Sequence, residues 1–361
     1  MATEYKELIR RKKQEKINQD LKEMPFFVKD YLMARSKSKE ATTRYAYLID
    51  LRVFLRFLKE NNPLYKDVAI KDMDLEVLKN VTPRDINEYV NYLSAYEGTN
   101  GYQSNENEGI RRKLAALSAM YTYYCRSGEL TANPVGAIEL PKKVMKKNVF
   151  LEDDEIERIF QAIESGSTMS ESGRKRFHDA TKYRDLAIVT LLLSSGIRVS
   201  ELVGLNLTDI DFDHPLSDSE GNIVYRSVVT RKGGDDDYVY LTEDTVDIIR
   251  IYMEENRPGM LAGKGDENEQ ALFLSLRGKR ISVGSVEALI KKYTKTTVPT
   301  KNIHPHSFRK TRGTRLYNET GDLQLTANVL GDKTLDVVSR HYVSVYDSKK
   351  INAAHKGQKS E

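Results

Sequence analysis

The sequence holds a single cysteine, Cys125, in 361 residues. One thiol excludes an internal disulfide and any metal site built from several cysteines, and it suits a reducing cytoplasm. Long apolar runs are equally scarce. The longest, LAIVTLLL at 186–193, falls far short of the roughly 20 residues that span a bilayer. The N-terminal MATEYKELIRRKK has no apolar h-region, so neither export nor membrane insertion is expected. Net charge is also small, at +4, and by itself points to no nucleic-acid partner. Internal repeats and low-complexity tracts are missing.

What is present is a soluble composition, 39% hydrophobic and 30% charged, in a chain long enough for two domains. The charge is segregated. Basic clusters occur at RRKK (10–13), RRK (111–113), PKKVMKK (141–147), GRKR (173–176) and HPHSFRKTRGTRLY (304–317), while acids gather in LEDDEIE, GGDDD and GDENE. Such segregation suggests one surface that faces a polyanion, although any single run can equally be a solvated face.

Residues 1–24 read as a basic N-terminal extension, 25–138 as a helical domain, 139–150 as a linker and 151–361 as a second domain. In the first domain Leu48, Leu51, Leu55 and Leu58 recur at helical spacing, with Thr42 or Thr43 available as the cap. Thr82 is a natural N-cap with Pro83 at the first helical position. A further helix places Leu114, Leu117, Tyr121 and Tyr124 on one stripe and ends at Gly128. Its start puts Arg111, Arg112 and Lys113 where the helix dipole is least favourable to cations, so either phosphate relieves the conflict or the start is solvated. In the second domain, KYRDLAIVTLLLSSGIRVSELVGL reads as a buried helix, a Ser-Gly break and a new helix start. IVYRSVVTRKGGDDDYVYL reads as a β-hairpin around Gly233-Gly234, and the remainder returns to helix.

Several side chains of the second domain point at one chemistry. Arg198 and Glu201 are three apart, so the acid can hold the guanidinium. His306 and Arg309 share the same spacing, Lys232 sits beside two glycines on the hairpin, and SRHYVSVY offers tyrosines on a late helix. With neither a carboxylate cage nor a cysteine–histidine cluster, this set suits metal-free phosphoryl transfer. Arginine's fork matches two phosphate oxygens, lysine can protonate a leaving oxygen, and a tyrosine with a pKa near 10 needs a base or a strongly cationic site to act as nucleophile. Each feature alone also has a bland explanation, as a surface arginine, a turn lysine or a core tyrosine.

Taken together, LLLSSGIRVSELVGLNLTDID, RKGGDDDYVYL, HPHSFRKTRGTRLY and NVLGDKTLDVVSRHY resemble the tyrosine recombinases, the phage-integrase and Xer family, over residues 25–355 or so. The resemblance implies an all-α core-binding (SAM-like) domain and an α+β catalytic domain, mainly helical with a small sheet or hairpin. It implies a site-specific recombinase that joins DNA through a 3′-phosphotyrosyl link without metal, ATP or other cofactor. Arg198 resembles the first catalytic arginine of G-x-R-x-x-E and Glu201 its supporting acid. Lys232 matches the hairpin lysine that protonates the leaving 5′-oxygen, His306 and Arg309 match H-x-x-R, and Tyr342 resembles the nucleophile. Tyr346 lies one turn further on the same face, so periodicity does not separate the two tyrosines. Two dimers on short inverted repeats of duplex DNA, a cytoplasmic location and a Holliday junction intermediate are implied with it. The absence of an obvious arm-binding module leans toward a simple Xer-like enzyme or mobile-element integrase.

One departure stands out. Where the family writes Leu-Gly-His or Leu-Gly-Trp, this chain has Leu330-Gly331-Asp332. An ionised aspartate cannot donate a hydrogen bond to phosphate and repels it. Either Lys333 or His341 takes the donor role, or Asp332 anchors a neighbouring basic side chain. Outside the site, Arg44, Arg111, Arg112, Lys113 and the 141–147 lysines are candidate phosphate contacts. Two other functions remain open: a topoisomerase IB-like nicking-closing enzyme, and a DNA-binding module that has lost catalysis.

Overall fold

Helices dominate the computed structural model, which describes residues 2–37, 40–98, 101–143, 148–173, 177–231, 234–262, 269–332 and 334–342. The chain divides into two compact units, one of Lys6–Lys146 and one of Lys147–Glu361 with the first five residues.

The first unit carries α1 (Ala2–Asp20) from Lys6 onward, α2 (Phe26–Ala34), α3 (Ala41–Asn61), α4 (Glu76–Lys79) and α5 (Pro83–Ser94), then a hairpin of β1 (Tyr96–Gly98) and β2 (Gly101–Gln103), and finally α6 (Asn107–Arg126). Its core takes the expected stripes: Leu48, Leu51, Leu55 and Leu58 of α3 and Leu114, Leu117, Tyr121 and Tyr124 of α6 are all buried in one cluster. Thr82 caps α5 in a reciprocal capping box with Asp85, with Pro83 opening the helix. Three expectations need correction. The residue capping α3 is Glu40, so Thr42 and Thr43 lie inside its first turn. The β1–β2 hairpin, with Gly98 paired to Gly101, interrupts a stretch expected to be helical. And α6 begins at Asn107, with Glu108 in its first turn, so the Arg111–Lys113 cluster sits in the second turn and the dipole conflict disappears.

In the second unit, α7 (Asp153–Ser165), α8 (Glu171–Gly173), α9 (Asp179–Ser195) and α10 (Val199–Leu202) precede a three-stranded antiparallel sheet of β3 (Leu216–Ser217), β4 (Ile223–Thr230) and β5 (Asp236–Thr242). The β4–β5 register runs from Val224↔Thr242 to Thr230↔Asp236, which sets the expected hairpin around the glycines. Side chains alternate as a half-buried sheet requires: Tyr225, Ser227, Val229, Val239 and Leu241 face in, Arg226, Tyr238 and Tyr240 face out. There follow α11 (Glu243–Glu255), α12 (Arg257–Leu261), α13 (Val283–Thr297), α14 (Pro305–Thr320), α15 (Leu323–Leu330) and α16 (Leu335–Tyr342).

The centre of this unit is α9, buried along Leu186–Val189 and again at Leu191 and Leu192. Its carboxylate Asp185 is wholly buried, yet Arg184, Lys292 and the Tyr293 hydroxyl all bond to it, which pins α9 to α13. Against α9 packs α14, and α14 in turn carries α15 and α16. Among the described residues, no helix is long and apolar enough to cross a membrane.

Candidate active site

Gly196 ends α9 in the left-handed region at φ 65°, and a Cβ there would come within 2.6 Å of Leu330. The turn it makes places Arg198 at the N-cap of α10, where the Glu201 carboxylate accepts both the Arg198 backbone N–H at 2.8 Å and its Nη1 at 2.9 Å. The three-residue spacing therefore does what the sequence suggested. Glu201 is buried, and its Oε2 also takes Nη1 of Arg231 at 3.1 Å, while Nε of Arg231 bonds Asp237 at 2.9 Å.

From α14, Arg309 projects into the same place with its side chain almost wholly buried. Its Nη1 donates to the Gly196 carbonyl at 2.9 Å and its Nη2 to the Leu330 carbonyl at 2.7 Å, so two loop carbonyls fix the guanidinium plane. The two arginines then converge on one atom. Nη2 of Arg198 and Nη2 of Arg309 each lie 2.8 Å from Oδ1 of Asp332. The other carboxylate oxygen, Oδ2, accepts the Tyr342 hydroxyl at 2.9 Å, and Nε of Arg309 donates to that hydroxyl at 3.1 Å. Burial, its largest influence, pushes the Tyr342 phenol up to about 12; Arg309 acts in the opposite direction, and Asp332 adds to the rise.

Tyr342 reaches this position because α16 packs on α14 at Gly313, where a Cβ would stand 2.5 Å from the tyrosine ring. Gly331 is equally constrained. It has φ 64°, and a Cβ there would lie 2.5 Å from the Arg231 guanidinium. Of the four site side chains, Arg198 is the most open, with 29% of its side chain exposed against 7% for Asp332 and 1% for Arg309. Solvent therefore reaches the shared anion position from the Arg198 side.

The structure brings together Arg198, Glu201, Arg309, Asp332 and Tyr342 from the expected set. His306 stands at the second position of α14, exposed, one turn before Arg309. Lys232, Lys333, Tyr346 and the side chain of His341 lie outside the described residues, as do residues 144–147. Asp332 holds two guanidinium groups at once, while Lys333 and the His341 side chain, on which the donor explanation turns, lie outside the described residues. Arg231 was missed in the sequence, and its only signal was adjacency to Lys232. Gly313 was missed too, although a lone glycine inside a helical pattern costs about 1 kcal/mol and so calls for a packing reason.

The cations expected to meet phosphate from the first unit are engaged within it. Arg44 is buried, with Nη2 bonded to Gln14 at 2.6 Å, and Lys113 is buried, with Nζ bonded to Asn105 at 2.8 Å. Both are therefore corrected from surface phosphate contacts to internal hydrogen-bond donors. Arg111 donates to the Pro141 carbonyl at 2.8 Å. Arg112 forks onto the buried Asp50, with Nη2–Oδ1 at 2.8 Å, yet keeps 52% of its side chain exposed.

Residues 149–349, more than half of the chain, match the phage integrase family. The tyrosine recombinase XerS of Streptococcus uberis is 30% identical across 93% of this chain and 96% of that protein. The tyrosine recombinase XerC of Caldanaerobacter subterraneus is 29% identical across 90% of this chain and 84% of that one. Among solved structures, the XerH site-specific recombinase bound to its difH substrate superposes with a TM-score of 0.57 at 15% identity, covering 86% of this chain and 78% of that chain. The Tn1549 transposon integrase in complex with circular intermediate DNA gives 0.58 at 18% identity, covering 91% of this chain and 97% of that chain. These two likenesses concern the fold.

Proposed function

The chain belongs to the phage integrase family and is a site-specific tyrosine recombinase of the Xer type acting on DNA, and we propose that it works through Arg198, Arg309 and Tyr342. The observation that carries this assignment is the convergence of the two guanidinium groups on one oxygen, 2.8 Å from each, with the Tyr342 hydroxyl 3.1 Å from Arg309. An oxygen anion seated between two arginines beside a tyrosine hydroxyl is what in-line attack on a phosphodiester requires.

In the proposed reaction the scissile phosphate takes the seat that Asp332 fills in the free protein. The Tyr342 oxygen attacks phosphorus, the bond to the 5′-oxygen breaks, and that oxygen takes a proton from Lys232. Arg198 and Arg309 neutralise charge on the phosphoryl oxygens, and His306 adds a donor at the start of α14. The phosphotyrosyl bond keeps the energy of the cleaved link, so religation needs neither ATP nor metal. Residues 25–138 form the core-binding domain in this reading and 151–361 the catalytic domain. The working assembly is a homotetramer on two inverted-repeat sites in the cytoplasm, serving either resolution of chromosome dimers or integration and excision of a mobile element.

The test is covalent trapping on nicked duplexes carrying candidate inverted repeats, in EDTA. The parent and Tyr346→Phe should each form a protein–DNA band that survives denaturation, and Tyr342→Phe should form none. A band lost only in Tyr346→Phe would move the nucleophile, and no band from the parent on bound DNA would leave a binding module. A substrate with two sites should yield exchanged products, which nicking and closing alone cannot give.

A further inference from the structure

The contact between Asp332 and Tyr342 is more than an anchor. Asp332 has two faces: Oδ1 is held by Arg198 and Arg309, and Oδ2 accepts the tyrosine's O–H at 2.9 Å. Nε of Arg309, at 3.1 Å, can only donate to that hydroxyl, whereas Oδ2 of Asp332 can take its proton. Resting on the reading of Tyr342 as nucleophile, we propose that Asp332 is the base that takes the Tyr342 proton during strand cleavage, and that the arriving phosphate is what turns it into one.

In the free protein the carboxylate shares two cations. A phosphodiester competes for the same two guanidinium groups, whose planar forks fit phosphate oxygens at least as well. Once they turn to the phosphate, Asp332 is left beside a second anion while its Oδ2 still faces the phenol. Two like charges at this distance in a buried site repel strongly. Passing the phenol's proton to Oδ2 moves the negative charge from the carboxylate to the Tyr342 oxygen, beside Nε of Arg309, where it is taken up as that oxygen bonds to phosphorus.

The step balances. The O–H bond of Tyr342 breaks and an O–H bond forms on Asp332; the tyrosine oxygen bonds to phosphorus as the bond to the 5′-oxygen breaks; and the 5′-oxygen takes its proton from the lysine. On religation each proton returns along the same route, Asp332 giving its proton back to the departing tyrosine. Between the two steps the neutral carboxylic acid has an O–H to donate to a phosphoryl oxygen, so the group that repelled phosphate becomes one that holds it. The charged groups around Asp332 fit this sequence. Arg198 faces it from the N-cap of α10 and Arg309 from α14, while the Arg231 guanidinium lies against Gly331, its own positive charge already matched by Glu201 and Asp237.

The decisive experiment measures single-turnover covalent trapping with Asp332→Asn, with tyrosine or 3,5-difluorotyrosine at position 342. Difluorotyrosine ionises far more readily than tyrosine and needs less help from a base. Asp332→Asn should trap DNA about 100-fold more slowly or worse than the parent, the range a lost general base gives. Its DNA binding in a shift assay should be retained, and difluorotyrosine at 342 should restore most of the lost rate while changing the Asp332 protein little. Asp332→Ser, which carries no carboxylate either, should follow the same pattern. A variant that cleaves as fast as the parent overturns the proposal, and so does a slow variant that difluorotyrosine does not rescue, because a purely structural loss is indifferent to the phenol's acidity. If the parent itself traps no DNA that it binds, the assignment of Tyr342 falls first and this step with it.

Discussion

Both units bury a carboxylate beside arginine, and they do so in opposite ways. In the first unit Asp50 is almost completely buried and has Arg112 as its ion-pair partner, while neighbouring Lys113 bonds an amide. In the second unit Asp332 is shared by Arg198 and Arg309, and Glu201 is shared by Arg198 and Arg231. A private pair is a closed account of charge that serves the fold. A shared one is a chain in which each group has a second partner, so one anion can be exchanged for another without stranding a buried charge. That difference separates a structural ion pair from a seat for substrate, and it does not follow from how many arginines a segment contains.

The largest effect expected outside the site's own polar groups comes from Gly313. Its missing Cβ is filled by the Tyr342 ring, with Leu330 Cδ1 also within 2.9 Å of where that atom would be. Gly313→Ala pushes the tyrosine away from Arg309 and Asp332 while leaving the two arginines paired to the carboxylate. Covalent trapping should fall about 100-fold or more, the scale set by displacing a reacting group by about 1 Å. Binding in a shift assay should hold, and thermal stability should change modestly, because overpacking is partly offset by the better helix former. Loss of binding in step with cleavage would place α16 among the DNA contacts and break the distinction between seat and nucleophile.

A smaller effect tests the private pair. Arg112→Ala leaves Asp50 buried without its cation, a loss of roughly 3 kcal/mol. Burial already holds the Asp50 carboxyl above the usual carboxylate range, with Arg112 and then Lys113 pulling it down. A carboxyl raised in the folded state contributes stability that is present at low pH and is lost as pH rises through its folded value. Removing Arg112 raises that value further, so the variant's deficit in a urea melt should be greater at pH 7 than at pH 5. Arg198→Ala should cost less, because Asp332 keeps Arg309 and Glu201 keeps Arg231. Equal costs would mean that the shared network is as closed as the private pair.

How much of this was legible beforehand follows from range along the chain. Local signals were readable: Thr82 as a helix cap with Pro83 behind it, Arg198 three residues before Glu201, and the β4–β5 hairpin from its alternation and glycines. The resemblance placed the arginines and the tyrosine in one site before any geometry did. Missing was what Asp332 touches, because its bond to Arg198 closes a loop of 134 residues and no local pattern encodes such a contact. The fate of the basic cluster on α6 was hidden for a related reason. Moving the helix start to Asn107 turns Lys113 inward and sets Arg112 against Asp50, a residue 62 positions away. Periodicity identifies which residues share a face, but burial of a charge depends on which distant partner meets it.

The smallest effect compares tyrosines. Burial holds Tyr31 of the first unit and Tyr342 of the second at about 12, each chiefly by desolvation. A raised phenol means that the folded protein binds its proton more tightly than the unfolded chain, where the value is about 10. The stability this contributes is complete below about pH 10 and is lost as pH rises from there through about 12. Urea midpoints of the parent should therefore drop across that window. Tyr31→Phe and Tyr342→Phe should each flatten the drop by up to about 1.4 kcal/mol per pH unit, the slope of one proton released on unfolding. The two substitutions should act alike, since the same desolvation raises both phenols. If Tyr342→Phe flattens the slope less, its hydroxyl already ionises in the folded state, and the site lowers the barrier to a phenolate before any DNA arrives.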